Sequence, residues 1–378
     1  MKLIINKKQF LQSWGLAERS TASSSSMNIL SSVYIRASFE EVTLQATDIR
    51  TSIICKANGV KVVEEGEAVF QIKMVGDLFK KAPGEEFTLT VDDGKVILKA
   101  GTGKYNFSTY PVKEFPKLPS SAEGKTFCRT TAMELSSVIE EGTLAASSGE
   151  EYPLYLSSTH FQIKEGSLNI VSTDTRRLAI SGVPVEEAEE GTSALLPMKG
   201  VKELQRILST LSPDSLIHIL YDSSQFYFKT ENVEFSVRKV ESKFPPYEKI
   251  IPTGMTTSVV VDRGSLISSL ERVDVIVRDF NRMVIMEIKQ GENLVLRGKA
   301  PDFGKAREEL SAEVNGEDIT MALNSKFYMD SLKVMRDPFV RLTFTGKSGH
   351  MAVRKVDTDS FICLIAPINI SDEELNED

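Results

Sequence analysis

Histidine, cysteine and tryptophan are scarce in this chain, with three, three and one among 378 residues. Cys55, Cys128 and Cys363 stand apart with no CxxC spacing, which excludes a disulfide framework or a zinc site and fits reduced thiols. His160, His218 and His350 are equally scattered, and His218 alternates within LIHIL as a strand residue does. Neither GxSxG nor HExxH occurs, so no hydrolase or metalloprotease constellation can be assembled, and neither a metal nor a cofactor is expected. Thr345-Gly346-Lys347-Ser348 contains the GKS of a phosphate loop, but Arg341 stands where the loop needs glycine, so the segment reads as a hairpin turn. The acidic pairs Glu64-Glu65 and Glu140-Glu141 lie in polar surroundings and read as solvated surface rather than as an acid and a base. Long apolar runs are missing too: none approaches the roughly 18 to 20 residues of a bilayer span. The opening MKLIINKKQFLQSW breaks into charge too soon for a signal peptide, so a cytoplasmic protein with no membrane partner is expected. A net charge of −8 excludes a surface that adheres to nucleic acid everywhere, while leaving room for a local basic lining.

Against these absences, the chain has the 41% hydrophobic and 26% charged residues of a soluble globular protein, and its length suggests two to four domains. Internal repetition decides how many. A strand running into a short helix occurs at Val69–Phe79, again at Ala194–Leu204, and a third time at Thr320–Phe327; the equivalent positions Lys73, Lys199 and Ser325 are 126 residues apart each time. Three such periods account for all 378 residues. A capped helix is expected after Asn6, after Thr130 or Thr131, and after Asp262, because each side chain can accept hydrogen bonds from the first free amides. Thr47-Asp48 and Thr173-Asp174, again 126 apart, end equivalent strands. The remainder of each repeat is strand, with hairpins turned at Asp93-Gly94 and at Gly101 to Gly103. Proline cannot donate to a ladder, so EFPKLP at 114–119 and KFPPYEKIIP at 243–252 read as linkers or edge strands between repeats. The expected architecture is α+β, with domains at 1–123, 124–252 and 253–370, each an antiparallel sheet with two short helices.

Three segments together resemble the bacterial beta sliding clamp, the beta subunit of DNA polymerase III: Ser172-Thr173-Asp174-Thr175-Arg176-Arg177-Leu178-Ala179, Phe244 to Pro252, and Leu364-Ile365-Ala366-Pro367-Ile368. The resemblance implies three tandem copies of a DNA-clamp domain and a head-to-tail homodimer closing a ring, with sheets outside and helices lining a hole for duplex DNA. It further implies a non-catalytic processivity factor whose partners are DNA polymerase subunits, the clamp loader and repair proteins. The candidate lining cations are Lys7, Lys8, Lys73, Lys80, Lys81, Lys199, Lys202, Arg206, Arg263, Arg272, Lys326 and Lys333; the helix from Ala132 is the exception, carrying acids and no base. Such contacts would fall on phosphates, which carry no sequence information and weaken with salt, as sliding requires.

The resemblance also implies a groove that captures short partner peptides. Its apolar part would comprise Leu156, Thr173, Leu178, Pro245, Ile250, Leu364, Ala366, Pro367 and Ile368, with Thr175, Arg176, Arg177, Lys249, His350 and Asn369 as its polar edge. This sequence departs from the family pattern in several places. Thr175 replaces a usual glycine, Ser157-Ser158 a common Asn-Gly, and Ala366 and Asn369 a frequent Met and Arg. Ser23 stands near a usual basic DNA contact, and SDEELNED at 371–378 is an additional acidic tail. A scaffold with the clamp fold and groove that is not loaded on DNA is the alternative, an enzyme the most distant one.

Overall fold

The structure, a computed structural model, describes residues 1–22, 27–149, 151–291, 293–346 and 349–369. Ser23, the Lys347-Ser348 half of the TGKS turn and the acidic tail lie outside the described residues.

Among the described residues there are six α-helices: α1 (Lys7–Glu18), α2 (Ile72–Lys81), α3 (Ala132–Gly142), α4 (Met198–Leu208), α5 (Arg263–Val277) and α6 (Ser325–Lys333). They are the two per repeat that the sequence predicts. Asn6 and Asp262 cap α1 and α5 by accepting from the amides of Gln9 and Ser265. The second helix of each repeat begins at Ile72, Met198 and Ser325, spaced by 126 and 127 residues. The hairpins turn where glycine and aspartate tolerate the left-handed region: Asp93 and Gly94 have φ of 44° and 73° between the strands Glu86–Asp92 and Lys95–Ala100. His218 lies in the strand Leu216–Tyr221, opposite Arg129 and Lys229.

Among the described residues every strand pairing is antiparallel, and contacts group the chain into two compact units that cut across the repeats. The first unit comprises 1–133, 185–189 and 199–239. It holds a five-stranded sheet, from the edge strand Val60–Glu64 to the edge strand Gly103–Ser108, and an eight-stranded sheet. In the latter, Thr51–Lys56 of the first repeat pairs with Val233–Arg238 of the second, so the ladder runs on through the repeat junction. A sheet that continues in this way hides two strand edges that would otherwise stand open. The second unit, 134–184, 190–198 and 240–378, repeats the device: Arg177–Pro184 pairs with Phe361–Ile365 within a nine-stranded sheet, beside a four-stranded sheet.

Apolar helix faces cover the sheets. Phe10 and Trp14 of α1 meet Phe79 of α2, with ring centroids 5.5 and 5.0 Å apart. Gly76 permits this approach, because a Cβ there would stand 2.6 Å from the Trp14 Nε1. In the last repeat Leu266, Leu270 and Val273 of α5 and Tyr328 and Leu332 of α6 join Val284, Met286, Leu296 and Leu342 in one core. The cysteine thiols are buried, and burial pushes each up to about 12, so none is poised to react at neutral pH. Glu141 corrects the sequence expectation of a solvated pair. It is 6% exposed, accepting from the Ser181 hydroxyl at 2.6 Å and paired with Lys355 at 2.8 Å, whereas Glu64 and Glu65 are exposed as expected.

Candidate peptide groove and helix cations

All the groove residues that the resemblance implies fall in the second unit, and strand register brings several into one row. Thr173 lies opposite Leu178, Leu178 opposite Leu364, and Leu364 opposite Ala352, so these side chains share a sheet face. Ala366 continues the alignment, its amide donating to the Arg176 carbonyl at 2.9 Å, and Ile368 donates to Ala322 at 2.8 Å. Leu178 and Leu364 pack with Val171, Ile180, Ile362 and Tyr247, joined by the half-buried Phe244 and Ile251. They are 4% and 1% exposed, and Leu156, in the turn Leu154–Ser157, is also buried. These leucines therefore form the floor of the sheet rather than its open surface. Thr173, Ala366, Pro367 and Ile368 are half-buried above it, while Thr175, Arg176 and Asn369 are exposed. Lys249, Ile250 and His350 lie outside those strand pairings. They line a cleft of about 680 Å³ with Ile251, Pro252 and Met255. Pro245 is half-buried, and its carbonyl accepts from the Tyr247 amide.

The turn at one end of the row is built from its own side chains. The Asp174 carboxylate accepts from the amides of Arg176 and Arg177, and the Thr173 hydroxyl from that of Thr175. Thr175 has φ of 73°, the left-handed region for which glycine is suited. Arg177, 10% exposed, does not belong to an open polar edge. It is held between Asp174 and Asp330 at 3.0 Å each, and its guanidinium lies 4.4 Å from the centre of the Phe327 ring.

Sequence reasoning missed the aromatic cluster that roofs the neighbouring strands. His160 stacks on Phe244 at 5.0 Å, and the Tyr247 hydroxyl donates to Gln162 at 2.7 Å. Burial pushes His160 down to about 4, with Glu248 acting against it, so the imidazole is neutral at physiological pH. The only sequence signal was the run FPPY, where prolines hold an extended track and leave Phe244 and Tyr247 on it.

Of the candidate lining cations, Lys7, Lys8, Lys73, Lys80, Lys81, Lys199, Lys202 and Arg206 belong to the first unit and Arg263, Arg272, Lys326 and Lys333 to the second. Two are not free to reach outward: Lys7 donates to the Ala82 carbonyl at 2.6 Å, and Arg263 to those of Asp337 and Leu332. Six more have acidic partners. These pairs are Lys80–Glu18, Lys199–Asp48, Arg206–Glu203, Arg272–Glu308, Lys326–Asp330 and Lys333–Glu271. Lys8, Lys73, Lys81 and Lys202 are exposed and make no ion pair among the described residues. On α3, Glu140 pairs with Arg336 at 3.5 Å.

The chain matches, in order, the N-terminal, central and C-terminal domains of the DNA polymerase III beta subunit, over residues 1–119, 130–246 and 248–369. It belongs to the bacterial beta sliding clamp family. It is 28% identical to the beta sliding clamp of Halalkalibacterium halodurans over 97% of this chain and 99% of that protein. Identity to the beta sliding clamp of Staphylococcus epidermidis is 26% over the same shares of the two chains. Among solved structures, the DNA polymerase III beta subunit of Thermotoga maritima is similar with a TM-score of 0.88 at 26% identity, covering 98% of this chain and 100% of that one. The sliding clamp of Bacillus subtilis shares the fold, with a TM-score of 0.92 at 24% identity and the same coverage.

Proposed function

We propose that this protein is a DNA sliding clamp, a processivity factor that encircles duplex DNA as a homodimeric ring and tethers the replicative polymerase, the clamp loader and repair proteins through short peptides. In this reading it has domains at 1–123, 124–252 and 253–370, works in the cytoplasm and catalyses no reaction itself. The observation that carries the reading is the threefold recurrence, at a 126-residue period, of a clamp-family domain with two helices on its sheets. No helix among the described residues is long and apolar enough to cross a membrane.

Two open edges support dimerisation. Gly103–Ser108 ends the five-stranded sheet and Gly304–Leu310 ends the four-stranded sheet, each presenting an unpaired row of amides and carbonyls. Joining the first-repeat edge of one copy to the third-repeat edge of its partner would extend both ladders, twice in a closed dimer. In the groove, Pro367 and Ala366 offer half-buried apolar surface beside the Leu178–Leu364 floor, suited to one apolar or aromatic anchor.

The deciding experiment is loading of the purified protein onto nicked circular DNA: it should be retained on the circle and lost when the circle is linearised. Retention of the Lys8, Lys73, Lys81 and Lys202 quadruple alanine variant should fall and lose part of its salt dependence, since these four cations are uncommitted. Lys7 and Arg263 are held by backbone carbonyls and six more cations by acidic side chains that compete with phosphate, which favours a second reading, a clamp-fold scaffold not routinely loaded on DNA. Failure of the parent protein to stay on closed circles, with peptide binding intact, would select it.

A further inference from the structure

The first two repeats place the same sheet rows under the same kind of cover. Tyr34 pairs with Gln45 and Gln45 with Ile54; in the second repeat His160 pairs with Val171 and Val171 with Ile180, each position shifted by 126. Phe115 stacks on Tyr34 at 5.4 Å just as Phe244 stacks on His160 at 5.0 Å, and a proline follows each phenylalanine. Three residues beyond, the covers diverge. Tyr247 drops onto the sheet, is 5% exposed, packs on Val171 and Ile180, and hydrogen-bonds Gln162. Its counterpart is Leu118, which is shorter and half-buried, and the space beneath is a cavity of about 330 Å³ lined by Arg36, Gln45, Ile54, Phe115 and Leu118.

We propose that this cavity of the first unit binds the side chain of a tyrosine presented by a partner protein. The second repeat supplies the template, because its own tyrosine fills the equivalent space. Arg36 occupies the position of Gln162, so a guanidinium donates to the incoming phenol oxygen where the Gln162 carbonyl accepts from Tyr247. Ile54 keeps the apolar floor of Ile180, and Phe115 supplies an aromatic wall. Arg36, Lys117 and Ser120 are exposed at the rim, so the cavity admits a side chain reaching in from outside and does not enclose a free molecule on all sides. This site is distinct from the groove residues, all of which belong to the second unit.

The test uses the full chain and N-acetyl-tyrosinamide, followed by saturation-transfer NMR. The parent protein should bind it about tenfold more tightly than N-acetyl-phenylalaninamide, the margin that one phenol hydrogen bond can supply. Leu118→Tyr should fill the cavity from within, abolish binding and raise the Tm. Arg36→Met should keep the ring bound and lose the preference for tyrosine. The proposal is overturned by absence of transfer to the parent, by binding that persists in Leu118→Tyr, or by tighter binding of 4-hydroxybenzoate, which would assign the cavity to a free aromatic acid.

Discussion

The first unit carries the row Thr47–Ser52–Ser236 at the same register at which the second carries Thr173–Leu178–Leu364. All six side chains sit in matching ladders, and the turns that begin the rows are built alike: Ile49 and Thr175 have φ of 74° and 73°, and Asp48 and Asp174 each accept from two following amides. What differs is the chemistry laid on this frame. Ser52 donates to the Thr47 hydroxyl at 2.9 Å and presents nothing apolar, whereas Leu178 and Leu364 make a continuous hydrocarbon floor. Backbone duplication thus explains why two sites look alike, and two serine-to-leucine differences explain why only the second is suited to an apolar peptide anchor.

Breaking the apolar row should have the largest effect. Leu178→Glu places a carboxylate at a buried position near the start of a strand with no cation provided for it, and should cost about 4 kcal/mol or more, measured by urea unfolding, from the cost of uncompensated buried charge. Ser52→Ala, at the matching position, should cost only about 1 kcal/mol for the lost hydroxyl bond. A consequence follows for peptide binding. Leu178 variants unfold the floor, so the groove is better tested with Pro367→Glu, which should abolish peptide binding while leaving the Tm within a degree or two (about 0.5 kcal/mol, as for surface changes).

The ion pairs at the two turns sharpen the comparison at intermediate size. Arg177→Ala leaves Asp174 without its cation, while Asp330 keeps Lys326, and should cost about 2 kcal/mol in thermal or urea unfolding. Lys199→Ala, at the first turn, removes an ammonium that is 65% exposed and should cost about 0.5 kcal/mol. Asp48 itself matters more than its lysine. Burial acts to raise its carboxyl, but hydrogen bonds from Lys199 and Thr51 outweigh burial and hold it below its ordinary 3.8. A depressed carboxyl contributes stability above its unfolded value and loses it as pH falls through the folded value. Asp48→Asn should therefore cost about 1.5 kcal/mol at neutral pH, with the deficit shrinking below pH 4 (about one charged hydrogen bond).

The smallest expected effect is a gain. Thr175→Gly and Ile49→Gly each relieve a β-branched residue held at positive φ, offset by the greater freedom of glycine in the unfolded chain. A net stabilisation of about 0.5 kcal/mol, of similar size at both turns, is expected. A gain at one turn only would show that the two are less alike than their hydrogen bonds make them.

Much of the frame was legible from local rules. Asn6 and Asp262 announced helix starts because a short polar side chain before an apolar run satisfies free amides. Asp93-Gly94 announced a hairpin because few other pairs accept two positive φ angles. The groove was legible only through its resemblance to a family, since no periodicity distinguishes Leu178 as floor from Leu178 as ordinary core. Glu141 was misread because its partners, Ser181 and Lys355, lie far along the chain, and no local pattern gives away a distant counter-charge. The ion pairs of the helix cations were hidden for the same reason. A lysine at an exposed helical position shows no partner in the sequence, and only the tertiary fold brings Asp48 to Lys199 and Glu271 to Lys333.

The sequence by itself determined the helix caps and the turns, because each depends on residues within a few positions of one another, and the threefold period and the α+β class, because those local patterns recur every 126 residues. Only the tertiary structure decided that sheets run through the repeat junctions, that Arg177 belongs to Asp174 and Asp330, and that Tyr247 fills a space which Leu118 leaves empty. Those outcomes depend on which distant strand supplies the next edge and the next side chain, and a linear pattern carries no term for that distance.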